Sequence, residues 1–173
     1  MPYPKQIITM AQNFIDESEE NVELQESRFY MLWNSILNLH FPLTLGYGIA
    51  PQTSITGTGT KQDFFVIVEI IGELVDLVVV VELNSSSDET KAQMDTLQAE
   101  LVEFIKERFS QTQCPTIYGI GCVGLSWTAL KVDKDSNQPV VIVPRRTLVT
   151  SNESFSHLKA VADEVYGMTR VWS

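Results

Sequence analysis

The segment KQDFFVIVEIIGELVDLVVVVELN, residues 61–84, decides the fold because it has the pattern of two buried strands joined by a tight turn. Val, Ile and Phe, which are enriched in strands, lie on both sides of Gly72 and Glu73. A glycine in the first central position suits a two-residue type II′ turn. Both faces of the two strands are largely apolar, so the sequence predicts an antiparallel hairpin, residues 63–71 and 74–84, in the interior of a sheet.

The predicted turn also indicates which residues of the hairpin lie opposite each other. Partners across a turn at residues 72 and 73 have numbers that sum to 145, and Asp63 and Glu82 satisfy this sum. Directly opposed Cβ atoms lie about 4.5–5.5 Å apart, which is close enough for both carboxylates to hold one divalent ion such as Mg²⁺, or Mn²⁺ in its place. Asn84 is expected on the same face as Glu82, because side chains alternate along a strand.

Each of these acids also has an ordinary interpretation, as a strand-end carboxylate exposed to water. The same sum pairs Glu69 with Asp76 near the turn, where we expect both acids to be solvated. Opposed acids in this hairpin are therefore not by themselves a sign of metal. Two like charges directly opposite each other are nevertheless destabilising without a cation, which favours the metal interpretation for Asp63 and Glu82.

Length and composition favour one soluble domain that spans residues 1–173. The chain is 44% hydrophobic, which is enough for one sizeable core, and no shift in composition indicates a second. The longest uncharged apolar stretch, residues 77–81, is too short to cross a bilayer, and the first residues do not have the pattern of a secretory signal. We therefore expect an intracellular protein, cytoplasmic or nuclear, that does not bind membranes.

The charge of the chain disfavours a protein that simply coats nucleic acid. Its net charge is −10, whereas nonspecific affinity comes from lysines and arginines that neutralise phosphates. Four of the 12 basic residues nevertheless fall within residues 131–146, namely Lys131, Lys134, Arg145 and Arg146. Either a local basic edge that contacts nucleic acid or a hairpin with ordinary solvated charges accounts for them.

The rest of the chain alternates between helical and strand-like patterns. Apolar residues at helical spacing predict helices at residues 6–15, 24–41, 87–109 and 153–166, the third opened by a capping box of Ser86 and Glu89. Strands are predicted at residues 116–121, 125–132 and 140–143, with a short edge strand at 47–50. We interpret the glycines between residues 119 and 124 as a tight turn. A helix between two strands predicts a parallel crossover, and hence an α/β or α+β fold with a mixed central sheet flanked by helices.

These elements and acids resemble the PD-(D/E)XK nuclease-like superfamily, the fold of many restriction enzymes. The matching positions are Glu26 on the first core helix, Asp63 on one hairpin strand, and Glu82-Leu83-Asn84 at the end of the next. The strand text TIYGIGCVGLSWTALKV, residues 116–132, is also similar to the strand pair of uncharacterised fungal members. The resemblance covers residues 24–132 and implies a restriction endonuclease-like core.

The resemblance further implies a Mg²⁺-dependent phosphodiester site, with Asp63 and Glu82 as metal ligands and Glu26 beside them. In the family a lysine stands where this chain has Asn84, and asparagine carries no charge. Lys91, near the start of the next helix, is the better placed replacement, and Lys61 is the other nearby lysine. A helix glutamine of the family corresponds to Gln93 or Gln98, either of which is equally a solvated helix position.

Two functions follow from this reading. The first is a degenerate nuclease-like domain, catalytically weak or inactive, that binds nucleic acid or protein, including a second copy of itself. The second is an active Mg²⁺-dependent nuclease in which Lys91 has taken over the role of the lost lysine. The substitution at Asn84 and the net charge of −10 favour the first.

Overall fold

The computed structural model describes residues 2–16, 22–51, 64–71, 74–85, 90–146 and 148–170. Over these residues the chain forms an α/β fold in which helices flank a mixed sheet, as predicted. The helices are α1 (Lys5–Asp16), α2 (Val22–His40), α3 (Lys91–Arg108) and α4 (Asn152–Arg170). The strands are β1 (Tyr47–Pro51), β2 (Phe64–Ile71), β3 (Leu74–Asn84), β4 (Thr116–Val123), β5 (Ser126–Asp133) and β6 (Pro139–Arg146).

The six strands lie side by side in chain order, from β1 at one edge to β6 at the other. The hairpin of β2 and β3 is therefore interior to the sheet, and β1 is the short edge strand, both as predicted. β3 and β4 are parallel, whereas the other neighbouring pairs are antiparallel. The predicted crossover is thus confirmed, with α3 as its helix.

The register of the hairpin departs from the predicted one beyond the middle of β2. From the turn to Val68 the partners follow the predicted sum, but a β-bulge between Ile67 and Val68 then shifts the pairing by one residue. As a result Glu82 lies opposite Phe64, and the prediction that Asp63 is its direct partner is wrong. Asp63 itself, like the turn at residues 72–73, lies outside the described residues.

Asp76 lies opposite Glu69, as predicted, but it is not a simple solvated acid. Its half-buried carboxylate accepts a hydrogen bond from the Thr112 hydroxyl, and a second, at 3.0 Å, from the backbone N–H of Gln113. The residues that lead from α3 into β4 are therefore tied to the start of β3. The expectation of full solvation is wrong for Asp76 because this segment folds back over it.

The two faces of the sheet are covered by different helices. Residues of α1, α2 and α4 form one core with Val79 and Val81 of β3, whereas α3 forms another with Val80. Since side chains alternate along a strand, Glu82 and Asn84 follow Val80 onto the face that α3 covers. The predicted site residues Glu82 and Asn84 therefore lie between β3 and α3, and α2 lies on the opposite face of the sheet.

The start of α3 differs from its predicted start. Thr90 is the N-cap, its hydroxyl accepts a hydrogen bond from the Gln93 N–H at 3.2 Å, and the Gln93 side chain accepts one from the Thr90 N–H at 3.4 Å. This is a complete capping box, four residues later than the predicted one at Ser86 and Glu89. Residues 86–89 lie outside the described residues.

Gly119 and Gly121 lie within β4, as the strand predicted at residues 116–121 implies, but the tight turn predicted within residues 119–124 does not include them. Gly119 and Gly121 face α3, and a Cβ built on Gly119 would lie 2.8 Å from Leu101 Cδ2. A Cβ on Gly121 would overlap Leu97 Cδ2. The turn comes later, at Gly124, which has a φ of 55°. The two strand glycines thus allow the apolar side of α3 to lie directly on the backbone of β4.

Candidate functional site

A cleft of about 320 Å³ lies where the carboxyl end of β3 meets the first half of α3. Glu82 and Asn84 of β3 line one side of it. The other side is formed by residues of α3, namely Ala92, Gln93, Thr96, Leu97 and Glu100. The prediction that Glu82 and Asn84 face the same side of the sheet is therefore confirmed.

Backbone hydrogen bonds fix the end of β3 at this cleft. The Asn84 carbonyl accepts a hydrogen bond at 2.9 Å from the Gly124 N–H, which belongs to the turn between β4 and β5. The Gly124 carbonyl in turn accepts one at 3.3 Å from Trp33 Nε1 of α2. Although α2 lies on the other face of the sheet, its Trp33 is hydrogen-bonded to the turn at Gly124, and this turn is hydrogen-bonded to the end of β3. The end of β3, which carries Glu82 and Asn84, is thus connected through Gly124 to α2 on the other face of the sheet.

Glu82 is the most unusual ionisable group of the cleft. Its side chain is buried, with 6% of its surface exposed, and Oε2 has no hydrogen-bond partner among the described residues. Burial, then the charge of Glu100 and a hydrogen bond with it, raise the pKa of Glu82 from 4.5 to about 8. The surroundings of Glu82 therefore favour its neutral form more than water does for an exposed glutamate.

Glu100 is the site residue that the sequence interpretation missed. It lies on the exposed side of α3 and reaches the Glu82 carboxyl group at the cleft. A signal was present in the sequence, because Gln93, Thr96 and Glu100 have the three- and four-residue spacing of one helix face. That face becomes part of a site only because α3 lies over the end of β3.

The other predicted site residues are not brought to this cleft by the described structure. Glu26 is half-buried on α2, across the sheet from the cleft, and its Oε1 accepts a hydrogen bond from the Tyr30 hydroxyl at 3.3 Å. Lys91 is exposed at the first position of α3, and neither it nor Glu26 is among the described residues that line the cleft. Asp63 and Lys61 lie outside the described residues.

The two glutamines of α3 have structural partners. Gln93 belongs to the capping box, although it also borders the cleft. Gln98 donates a hydrogen bond from Nε2 to the Thr128 hydroxyl at 2.9 Å, and that hydroxyl donates to the Val143 carbonyl, also at 2.9 Å. Gln98 thereby connects α3 to β5 and β6, away from Glu82.

The predicted basic edge is partly neutralised by α4. Lys131 Nζ lies 2.6 Å from Glu164 Oε1, and Arg146 Nη1 lies 3.3 Å from Glu153 Oε1. Lys134 is exposed on the turn between β5 and β6. Two of the four positive charges that the sequence places here are therefore compensated by acids of the neighbouring helix.

Within the described ranges, no three or more His, Cys, Asp and Glu side chains are grouped so that they could hold a metal ion. None of the helices in the described part of the chain is long and apolar enough to cross a membrane. Comparison with protein-family models, curated proteins and solved structures gives no significant match to this chain.

Proposed function

We propose that this chain is a degenerate PD-(D/E)XK nuclease-like domain, intracellular, that binds a macromolecular partner instead of cleaving phosphodiester bonds. The observation that carries the proposal is the lining of the cleft around Glu82, in which the described side chains include no lysine and no arginine. Asn84 stands where the family has its lysine. Without that positive charge, the protein lacks an electrostatic contribution to the transition state of hydrolysis.

The charge distribution favours a protein partner over nucleic acid. The chain has a net charge of −10, and Lys131 and Arg146 already form ion pairs with acids of α4. Release of counterions from phosphates, which drives nucleic-acid binding, needs basic groups that are available to phosphate. Binding to nucleic acid through Lys131, Lys134, Arg145 and Arg146 is thus the weaker form of the proposal. A second copy of the chain is one form of protein partner.

An active Mg²⁺-dependent nuclease is the second candidate, and one observation favours it. The buried Glu82 carboxyl group borders an open cleft, which is a suitable position for a ligand of a catalytic cation. In this alternative Asp63 would be the second ligand, as the resemblance implies, and Lys91 would replace the lost lysine. When bound, Mg²⁺ would polarise the phosphate and activate a water molecule.

The experiment that separates the two candidates is a cleavage assay with millimolar Mg²⁺ or Mn²⁺ on single- and double-stranded DNA and on RNA. We expect the wild-type protein to give no cleavage above the metal-free control. Asn84→Lys restores the missing charge at a strand end that is exposed, and we expect it to gain cleavage. Asn84→Gln is the matched control, because it lengthens the side chain without adding charge.

Robust cleavage by the wild-type protein that disappears in Glu82→Ala would overturn the proposal and establish the nuclease. In that case Lys91→Ala should lower kcat along with kcat/KM, because a lysine that acts on the transition state contributes little to binding of the substrate. Binding of labelled DNA and RNA, measured by fluorescence anisotropy at two salt concentrations, tests the nature of the partner in the same preparations. Strong binding that weakens with salt would favour nucleic acid over protein.

A further inference from the structure

The contact between Glu82 and Glu100 brings two acids from different elements to one point. Glu82 comes from an interior strand and Glu100 from the helix that covers it, and both line the cleft. Glu82 is buried, whereas Glu100 is exposed to solvent.

The surroundings of Glu82 leave the hydrogen-bonding capacity of one carboxyl oxygen unused among the described residues. Oε2 is buried and has no hydrogen-bond partner among the described residues, although Glu82 is an interior side chain with only 6% exposure. A buried carboxylate is costly unless it is paired or liganded. Among the described residues that line the cleft, none carries a positive charge that would compensate it.

The chemistry of the lining identifies the class of ligand that would compensate the pair. The charged groups of the lining are the carboxylates of Glu82 and Glu100, and Thr96 adds a hydroxyl at the same cleft. Oxygen donors of this kind bind hard divalent cations, whereas imidazole and thiolate ligands would favour zinc. Mg²⁺ needs only one or two carboxylates, because it keeps several of its water ligands.

We propose that Glu82 and Glu100 together bind one hard divalent cation, Mg²⁺ or its substitute Mn²⁺, at the cleft between β3 and α3. This site differs from the one that the family resemblance implies, because its second carboxylate comes from α3 and not from residue 63. It goes beyond the proposed function, since it holds whether or not the chain cleaves a substrate.

Binding of Mn²⁺ to the purified protein without nucleic acid tests this site directly. The electron paramagnetic resonance signal of free Mn²⁺ decreases as the ion binds, and competition with Mg²⁺ shows that both use one site. We expect one equivalent of Mn²⁺ to bind the wild-type protein. Glu100→Gln and Glu82→Gln should each weaken binding about tenfold or more, since even changes in the outer shell of a metal site cost that much.

Two further variants act as controls. Glu107→Gln removes an exposed acid of the same helix that does not line the cleft, so it should bind Mn²⁺ as the wild type does. Asp63→Asn distinguishes the proposed pair from the pair implied by the family, and we expect it to retain binding. Because Glu100 is exposed, Glu100→Gln should fold normally, and its circular dichroism spectrum checks that it does.

Three results would overturn the site. The first is the absence of stoichiometric Mn²⁺ binding by the wild-type protein. The second is unchanged binding in a folded Glu100→Gln variant. The third is an equal loss of Mn²⁺ binding in Glu100→Gln and Glu107→Gln, which would show that the negative charge of the helix attracts the ion without a specific site. Loss of Mn²⁺ binding in Asp63→Asn as well as in Glu100→Gln would support Glu100 as a ligand and add Asp63 as a third.

Discussion

Leu97 of α3 packs directly on Gly121 of β4, so closely that a Cβ on residue 121 would overlap Leu97 Cδ2. Gly121 is also the register partner of Glu82 in the parallel pair of β3 and β4. The contact therefore sets how near α3 lies to the sheet at the position of Glu82. Because Glu100 follows Leu97 by less than one helical turn, the same contact brings Glu100 to the cleft.

Gly121→Ala is expected to lower the free energy of unfolding by about 1–3 kcal/mol, as overpacking of a filled core does. Urea denaturation measures this loss, and Leu97→Ala in the same chain should recover part of it, because the two residues are in contact. Gly167→Ala is the matched control. Outside the backbone of its own helix, no atom of the described residues lies within 4 Å of its added Cβ, and alanine is the better helix former, so this change should not destabilise. Equal stability of Gly121→Ala and wild type would contradict the close approach.

Glu82 should give the protein a distinct dependence of stability on pH in metal-free buffer. Burial and the neighbouring Glu100 raise its pKa in the folded chain to about 8, against 4.5 ordinarily. Between these values the folded state binds more protons than the unfolded state, so the free energy of unfolding decreases as pH rises and levels off above about pH 8. Each unit of pKa difference corresponds to about 1.4 kcal/mol.

The variant Glu82→Gln cannot ionise and should lack this decrease. Relative to the wild type, it is expected to gain on the order of 4 kcal/mol between about pH 5 and about pH 8. Urea denaturation of both proteins at several pH values, with a chelator present, measures the difference. If the free energies of unfolding of the two proteins change with pH in parallel over this range, the pKa of Glu82 is not raised.

Asp76 is expected to stabilise the fold through the hydrogen bonds that it accepts from Thr112 and Gln113. Asp76→Ala leaves both donors without this acceptor and should lower the free energy of unfolding by about 1–3 kcal/mol. Asp135→Ala, at an exposed turn position, should change it by less than about 0.5 kcal/mol. Thermal unfolding of the two variants compares them, and equal effects would mean that the half-buried contacts of Asp76 add no stability.

The ion pairs of α4 should limit the affinity of the basic edge for nucleic acid. Glu153→Gln together with Glu164→Gln releases Arg146 and Lys131, and two additional phosphate contacts would steepen the salt dependence of binding by about two units of logarithmic slope. Fluorescence anisotropy with labelled duplex DNA measures this slope. Asp95→Asn together with Glu107→Gln removes the same charge from α3. If the slope steepens equally in that control, the effect comes from net charge alone.

The interior hairpin and the parallel crossover are predictable from the sequence because each depends on a strong local pattern. Residues 64–71 and 74–84 are apolar on both faces, which only an interior strand can accommodate. The change to helical spacing after Glu82, followed by a return to strand-like residues, requires a helix between two strands. The alternation that places Asn84 beside Glu82 is equally local.

The sequence predictions fail where tertiary packing decides between two locally equivalent structures. A bulge leaves the composition of β2 and β3 unchanged, so the shift of Glu82 from Asp63 to Phe64 has no signal in the turn residues. Ser86 and Thr90 are both good N-cap residues, and the capping box of Thr90 and Gln93 is the one that begins α3. Glu100 becomes a site residue through the docking of α3 on β4, which depends on Gly119 and Gly121 far along the chain.

The strands of the sheet follow one another in space in the order in which the chain visits them. The pairs β2–β3, β4–β5 and β5–β6 therefore close over short connections, whereas β3 and β4 meet only after the chain has passed through α3. Longer closures cost more entropy, so we expect the crossover to form late in folding. These antiparallel pairs alone contain no cleft, since Glu100 reaches Glu82 only when that last step is complete. A ligand of the cleft would consequently act as a sensor of finished assembly, binding the complete sheet and no earlier intermediate.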